Sequence, residues 1–94
     1  MSESDVLSEA FEAIVDGVLA NMVPSLGRAL GLSDGDMDAI KYEHLTNIKE
    51  QKRGMLSMWK QRLGTRATPG ELIRACRAAK LQDVADKIQN PIRE

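Results

Sequence analysis

The amino-acid sequence predicts an all-α fold of six short helices, and three observations carry that expectation. Apolar residues recur at spacings of three and four, as one face of a helix requires, and no segment alternates apolar and polar residues between turn signals as a half-buried strand would. Aromatic residues are only 3% of the chain (Phe11, Tyr42 and Trp59), so the core must be Leu, Ile, Val, Met and Ala, a set that favours helix over sheet. Residues that start and stop helices fall at the ends of the periodic stretches.

The first helix runs from about Asp5 to Leu19. Leu7, Phe11, Ile14 and Val18 form its stripe, Ala10 and Val15 widen it, and Glu9, Glu12 and Asp16 lie off it. Gly17 and Asn21-Met22-Val23-Pro24 weaken helix, so the chain bends there, and Pro24 suits the first turn of a second helix. That helix carries Leu26, Ala29 and Leu30 inward and ends at Gly31. Ser33 is the N-cap of a third, with Asp34 and Asp36 in its first turn against the helix dipole and Met37 and Ile40 on its inner face. His44, Leu45 and Thr46 read as a connector.

Asn47, with Glu50 three residues on, opens the longest helix in the manner of a capping box. Its inner positions are Ile48, Met55, Leu56, Trp59 and Leu63; Lys49, Lys52, Arg53, Lys60 and Arg62 are expected wholly or partly exposed, and Gly64 stops it. Thr68-Pro69-Gly70-Glu71 is the clearest local signal. Thr68 caps, Pro69 takes the first helical position, and Glu71 reaches back to the cap amide. Leu72, Ile73 and Cys76 then face inward. A sixth helix, about Gln82 to Gln89, buries Val84, Ala85 and Ile88, and Pro91 follows it.

Ninety-four residues make one domain, and 43% hydrophobic with 29% charged residues is a globular composition. A single cysteine, Cys76, excludes an internal disulfide and a thiolate zinc cluster and fits a reducing compartment. No apolar run approaches the ~20 residues of a membrane span, and the acidic N-terminus is unlike a signal peptide. The expectation is a soluble cytoplasmic domain without direct membrane contact.

Net charge is −1 but uneven. Residues 1–40 hold eight acids and one base (Arg28), net −7; residues 41–94 hold twelve bases and six acids, net +6. Opposed fields on one rigid body allow head-to-tail association with copies or relatives. The plainer alternative is an asymmetry that averages out in three dimensions.

Catalytic and metal chemistry find little support. Cys76 lies on an inner helix face and His44 has no evident partner, so a Cys–His dyad is unsupported. Asp34-Gly35-Asp36-Met37-Asp38 mimics half a calcium loop, but Ala39 stands where the sharp turn needs Gly and Leu45 where the bidentate Glu belongs. No cofactor or metal is expected. The basic stretch from Lys49 to Arg66 leaves open a helical nucleic-acid-binding domain, ranked low because the chain has no strong basic excess.

Leu26-Gly27-Arg28-Ala29-Leu30-Gly31-Leu32-Ser33-Asp34, followed by Met37-Asp38-Ala39-Ile40, resembles the second and third helices of death domains. Glu50-Gln51-Lys52 and Met55-Leu56-Ser57-Met58-Trp59 look like the fourth, with its inward Trp; Ala67 to Ile73 and Leu81 to Ile88 are similar to the fifth and sixth. The resemblance covers about residues 6–89. The first helix is most like that of the family's adaptors, the fourth and sixth nearly as much like those of its receptors. Where many members carry Trp at the start of the second helix, this chain has Val23 and Pro24, and a longer join between the first two helices is expected.

What the resemblance implies is an antiparallel six-helix bundle in the death-fold arrangement, one domain over residues 1–94. Phe11, Leu26, Ile40, Leu56, Trp59 and Leu72 would form its structural core. It implies a non-enzymatic module that binds other death domains in an apoptotic or inflammatory signalling complex, as an adaptor or else as the cytoplasmic part of a receptor. Such domains meet through three asymmetric contacts: helices 1 and 4 against helices 2 and 3; the end of helix 4 against the loop before helix 6; and helix 3 against the loops after helices 1 and 3. The implied partner-binding residues are Arg28, Asp34, Asp36 and Asp38 on the acidic side, Lys49, Lys52 and Arg53 on helix 4, and Arg62, Arg66 and Asp83. Partners would be other death-domain proteins and further copies of the chain, with no nucleic acid.

Overall fold

A computed structural model describes residues 3–90, and in them six α-helices and two short 3-10 turns. They are α1 (Glu3–Gly17), α2 (Val23–Ala29), α3 (Asp34–Glu43), α4 (Ile48–Leu63), α5 (Pro69–Ala78) and α6 (Gln82–Gln89). The 3-10 turns, Ala20–Met22 and Gly64–Arg66, precede α2 and follow α4. Pro91 lies outside the described residues.

The helix starts are written locally. The Ser33 side chain accepts from the Asp36 N–H (3.0 Å) and the Asp36 carboxylate from the Ser33 N–H (2.9 Å), a complete reciprocal cap. Asn47 Oδ1 accepts from the Glu50 N–H (3.1 Å) and Thr68 Oγ1 from the Glu71 N–H (3.3 Å). The two glutamates do not reach back as expected: Glu50 pairs with Arg53 and Glu71 with Arg74. Each of these pairs is one helical turn apart, so the carboxylate has a cation as near to hand as the cap amide.

Two helix ends share one geometry. After α2 the Leu32 N–H donates to the Gly27 carbonyl and the Gly31 N–H to that of Arg28, both at 3.0 Å, with Gly31 at φ +87°. After α5 the Leu81 and Lys80 N–H groups repeat the pattern on Cys76 and Arg77, but Lys80 occupies the left-handed position at φ +63°.

α1 starts and ends two residues earlier than expected. It ends at Gly17, where a Cβ would lie 3.3 Å from Val84 of α6, and Leu19 turns outward in extended backbone. The join to α2 holds a 3-10 turn ahead of buried Val23.

α1 packs on α4, α5 and α6; α5 and α6 lie against each other; α2 rests on α5; and α3 on α4 and α2. Glu12 of α1 meets Arg53 of α4 and Asp16 meets Lys49, so these two helices run antiparallel. Ile14, Leu26, Met55, Leu56, Leu72 and Cys76 are completely enclosed, with Trp59 and Ile40 buried beside them. Phe11 is half-buried rather than central, its ring edge-on to Trp59 at 6.2 Å between centroids. Ile73 and Leu63 are likewise half-buried. Ile48 is not an inner residue: it opens α4 with no helix laid over it and is 37% exposed.

Candidate partner-binding surface

The charged residues singled out in the sequence divide into three groups. Lys52 is the first, and it is a correction. Its side chain is buried, with 6% exposure, and Nζ donates to the Val15 carbonyl at 3.0 Å. That carbonyl belongs to the last turn of α1, which has no basic residue of its own. Lys52 therefore supplies the positive charge that the α1 C-terminus lacks. Loss of hydration, and secondarily Lys49, lower its pKa, while Asp16 acts the other way. It is a clamp between two helices, not a surface residue.

The second group is paired within the chain, tightly for Arg62 and loosely at the surface for Arg53 and Lys49. Arg62, in the last turn of α4, grips Asp36 of α3 with two parallel hydrogen bonds of 2.5 and 2.7 Å. This fork is the strong form of carboxylate recognition. The Arg62 hydrogen bonds, then the Ser33 backbone N–H, hold the Asp36 carboxyl well below the usual carboxylate range. Arg53 lies 3.4 Å from Glu12 and 3.1 Å from Glu50, both raising its pKa, and Lys49 lies 3.9 Å from Asp16. Three of the five α4 bases named in the sequence are thus turned toward the chain's own acids. The charge asymmetry between the two halves is partly cancelled within the fold.

The third group remains open. Arg28 is exposed in the last turn of α2, and Asp34 and Asp38 are exposed one turn apart on α3. Arg66 and Asp83 are exposed as well. Among the described residues none of these five makes an ion pair. Asp36 lies between the two open aspartates in sequence, but its carboxylate is turned to Ser33 and Arg62.

Cys76 is enclosed, and burial pushes its thiol up to about 11. An activated nucleophile needs the opposite shift. Among the described residues no helix is long and apolar enough to cross a membrane.

The sequence did not disclose the Asp36–Arg62 fork or the Lys52 clamp. It also gave no warning of a groove between the start of α2, α3 and the α3–α4 connector, floored by Val23, Met37 and Ile40.

The chain is an all-α bundle of short helices with an aliphatic core and its distinctive charges at the surface. The family model for the death domain matches residues 8–92. The chain is 36% identical over 83 residues to the FAS-associated death domain protein of Bos taurus and 34% identical over 83 residues to that of Homo sapiens. Each match covers 88% of this chain and 39% of the relative, so the chain spans about two-fifths of the length of these relatives. The chain belongs to the death domain family, whose members are non-enzymatic protein-interaction modules.

Proposed function

We propose that the chain is the death-domain-binding part of an apoptotic or inflammatory signalling adaptor. The observation that carries the reading is the separation of spent from open charge. Arg28, Asp34 and Asp38 stay exposed and, among the described residues, without ion pairs on the α2–α3 side, while Asp36 is locked to Arg62. The likeness to the FAS-associated death domain protein over most of the chain supports the adaptor assignment.

The opposing face is α1 with α4. Lys49 and Arg53 still serve there, because their pairs with Asp16 and Glu12 are long and solvent-exposed and exchange at little cost. An α1–α4 face on one molecule and an α2–α3 face on the next make a heterologous contact. Such a contact need not close on itself and can build open stacks. Arg66, in the 3-10 turn after α4, and Asp83, in the first turn of α6, extend the surface, and single weak contacts add up by avidity.

The test is affinity capture from a cytoplasmic extract with wild type and Arg28→Glu side by side, with recovered proteins identified by mass. Death-domain proteins held by wild type and lost by a variant of unchanged melting temperature are the expected result. Equal recovery of nucleic acid and its binding proteins by both baits overturns the reading.

A further inference from the structure

Thr65 sits in the 3-10 turn Gly64–Arg66 that follows α4, and all three residues of that turn are exposed. A Cβ placed on Gly64 would meet no atom within 4 Å, so the turn is open on that side. Arg62 stands three residues before Thr65, Lys60 five before, and Arg66 next after it. Thr65 is the one Ser or Thr of the chain with Lys or Arg three residues ahead. Its hydroxyl makes no hydrogen bond among the described residues. The hydroxyls of Ser33 and Thr68, by contrast, are engaged as helix caps on the Asp36 and Glu71 N–H groups.

We infer that Thr65 is a phosphorylation site for an arginine-directed serine/threonine kinase, and that its phosphate draws Arg62 away from Asp36 and loosens α3. Such kinases select substrates by the pattern of charge ahead of the acceptor. Presenting Arg62 and Thr65 requires only the last turn of α4 and the 3-10 turn to unwind, and helix ends open at little cost. In the transfer Thr65 Oγ1 attacks the γ-phosphorus of ATP, the bond to the ADP oxygen breaks, and the hydroxyl proton passes to a carboxylate of the kinase. The product carries about two negative charges at pH 7 and three strong acceptor oxygens. It stands just past the C-terminus of α4, where the helix dipole repels an anion, so it turns to the guanidiniums on either side. Arg66 makes no ion pair among the described residues and is free to meet it. Arg62 exchanges the single carboxylate of Asp36 for a dianion one turn along its own chain. α3 buries only Ile40 and takes its position from that fork, so it is the element that responds. The inference goes beyond the adaptor reading, since no death-domain partner enters it.

The probe is a calcium–calmodulin-dependent serine/threonine kinase, of the class that selects Arg three residues before the acceptor, applied with magnesium and ATP to the purified chain. The modified residue is located by fragmentation mass spectrometry. The expected result is one phosphoryl group per chain, on Thr65, and none on Thr65→Ala. The phosphorylated chain is then compared with the unmodified one by NMR. Its α3 amides should exchange about tenfold faster, while those of α1, α5 and α6 are unchanged. The Asp36 carboxyl carbon should titrate at higher pH than before, because it has lost Arg62. Unphosphorylated Arg62→Gln should show the same two changes and Thr65→Ala neither. Both positions are exposed, so the variants keep the fold; matched circular dichroism checks this. No incorporation, incorporation at another hydroxyl instead, or a phosphorylated Thr65 with α3 exchange and Asp36 titration unchanged overturns the inference. No partner protein is present in these measurements, so failure here and failure of the capture experiment are read separately.

Discussion

The half of the molecule built from α1, α5 and α6 and the half around α3 are held by different forces. α1 buries Leu7, Ala10, Ile14 and Val15; α5 buries Leu72, Ala75 and Cys76; α6 buries Val84, Ala85 and Ile88. α3 buries only Ile40. What fixes α3 instead is polar and terminal: the reciprocal Ser33–Asp36 cap at its start and the Arg62 fork on the same carboxylate. Close backbone approach supplements this. A Cβ on Gly27 would fall 2.5 Å from the Met37 sulfur, and one on Gly54 3.3 Å from Ile40. Apolar burial is non-directional and supplies most of the folding free energy, whereas a fork and a cap supply position. The difference teaches that stability and recognition are housed apart. The helix with the thinnest apolar footing carries the open charges and borders the groove.

The largest blow is Trp59→Ala, on the face of α4 that packs against α1 of the well-packed half. It removes a buried indole and its edge contact with Phe11 and should cost about 3–5 kcal/mol, read by urea or thermal unfolding. A near-neutral result would put α4 in the wrong phase. On the other side, Ile40→Ala should cost about 2 kcal/mol, with α3 amides losing hydrogen-exchange protection before those of α1, α5 and α6. Uniform loss across all helices would erase the contrast drawn here.

Asp36→Asn tests the polar anchor through pH. The folded carboxyl lies below its unfolded value of about 3.9, so its contribution is present above that pH and is lost as pH falls. The variant should be less stable than wild type at pH 7. The gap should narrow steadily below about pH 4. A gap independent of pH would mean that the fork adds nothing beyond the cap. The smallest effect expected is a gain. Lys80→Gly relieves a left-handed backbone at the α5 terminus and should add about 0.5 kcal/mol, visible as a small rise in melting temperature.

Much of the fold was legible because helix starts are decided within four residues. Ser33, Asn47 and Thr68 cap where the sequence indicates, Pro24 and Pro69 sit in first turns, and Gly31 terminates α2. The periodicity placed Ile14, Leu26, Leu56, Trp59, Leu72 and Ala85 inside. It misplaced Lys52 and Ile48, both on α4. A long apolar stem lets lysine occupy an inward position and still deliver its ammonium to a carbonyl, and a periodicity argument reads only the charge. Ile48 fits the stripe, but a stripe tells where a side chain points and not whether another element covers it.

The surface was less legible. A count of acids and bases by halves anticipated opposed fields, but the fork joins residues 26 apart, the Lys52 clamp residues 37 apart, and the Glu12–Arg53 pair residues 41 apart. The sequence by itself determined what short-range sterics and hydrogen bonding govern: six helices, their caps, their inward faces and the family to which they belong. Tertiary structure alone decided which charges are consumed and which remain, and where an apolar trough is left open. Those outcomes depend on how one helix is rotated against another, which is set by the packing of the whole core and by no local run of residues.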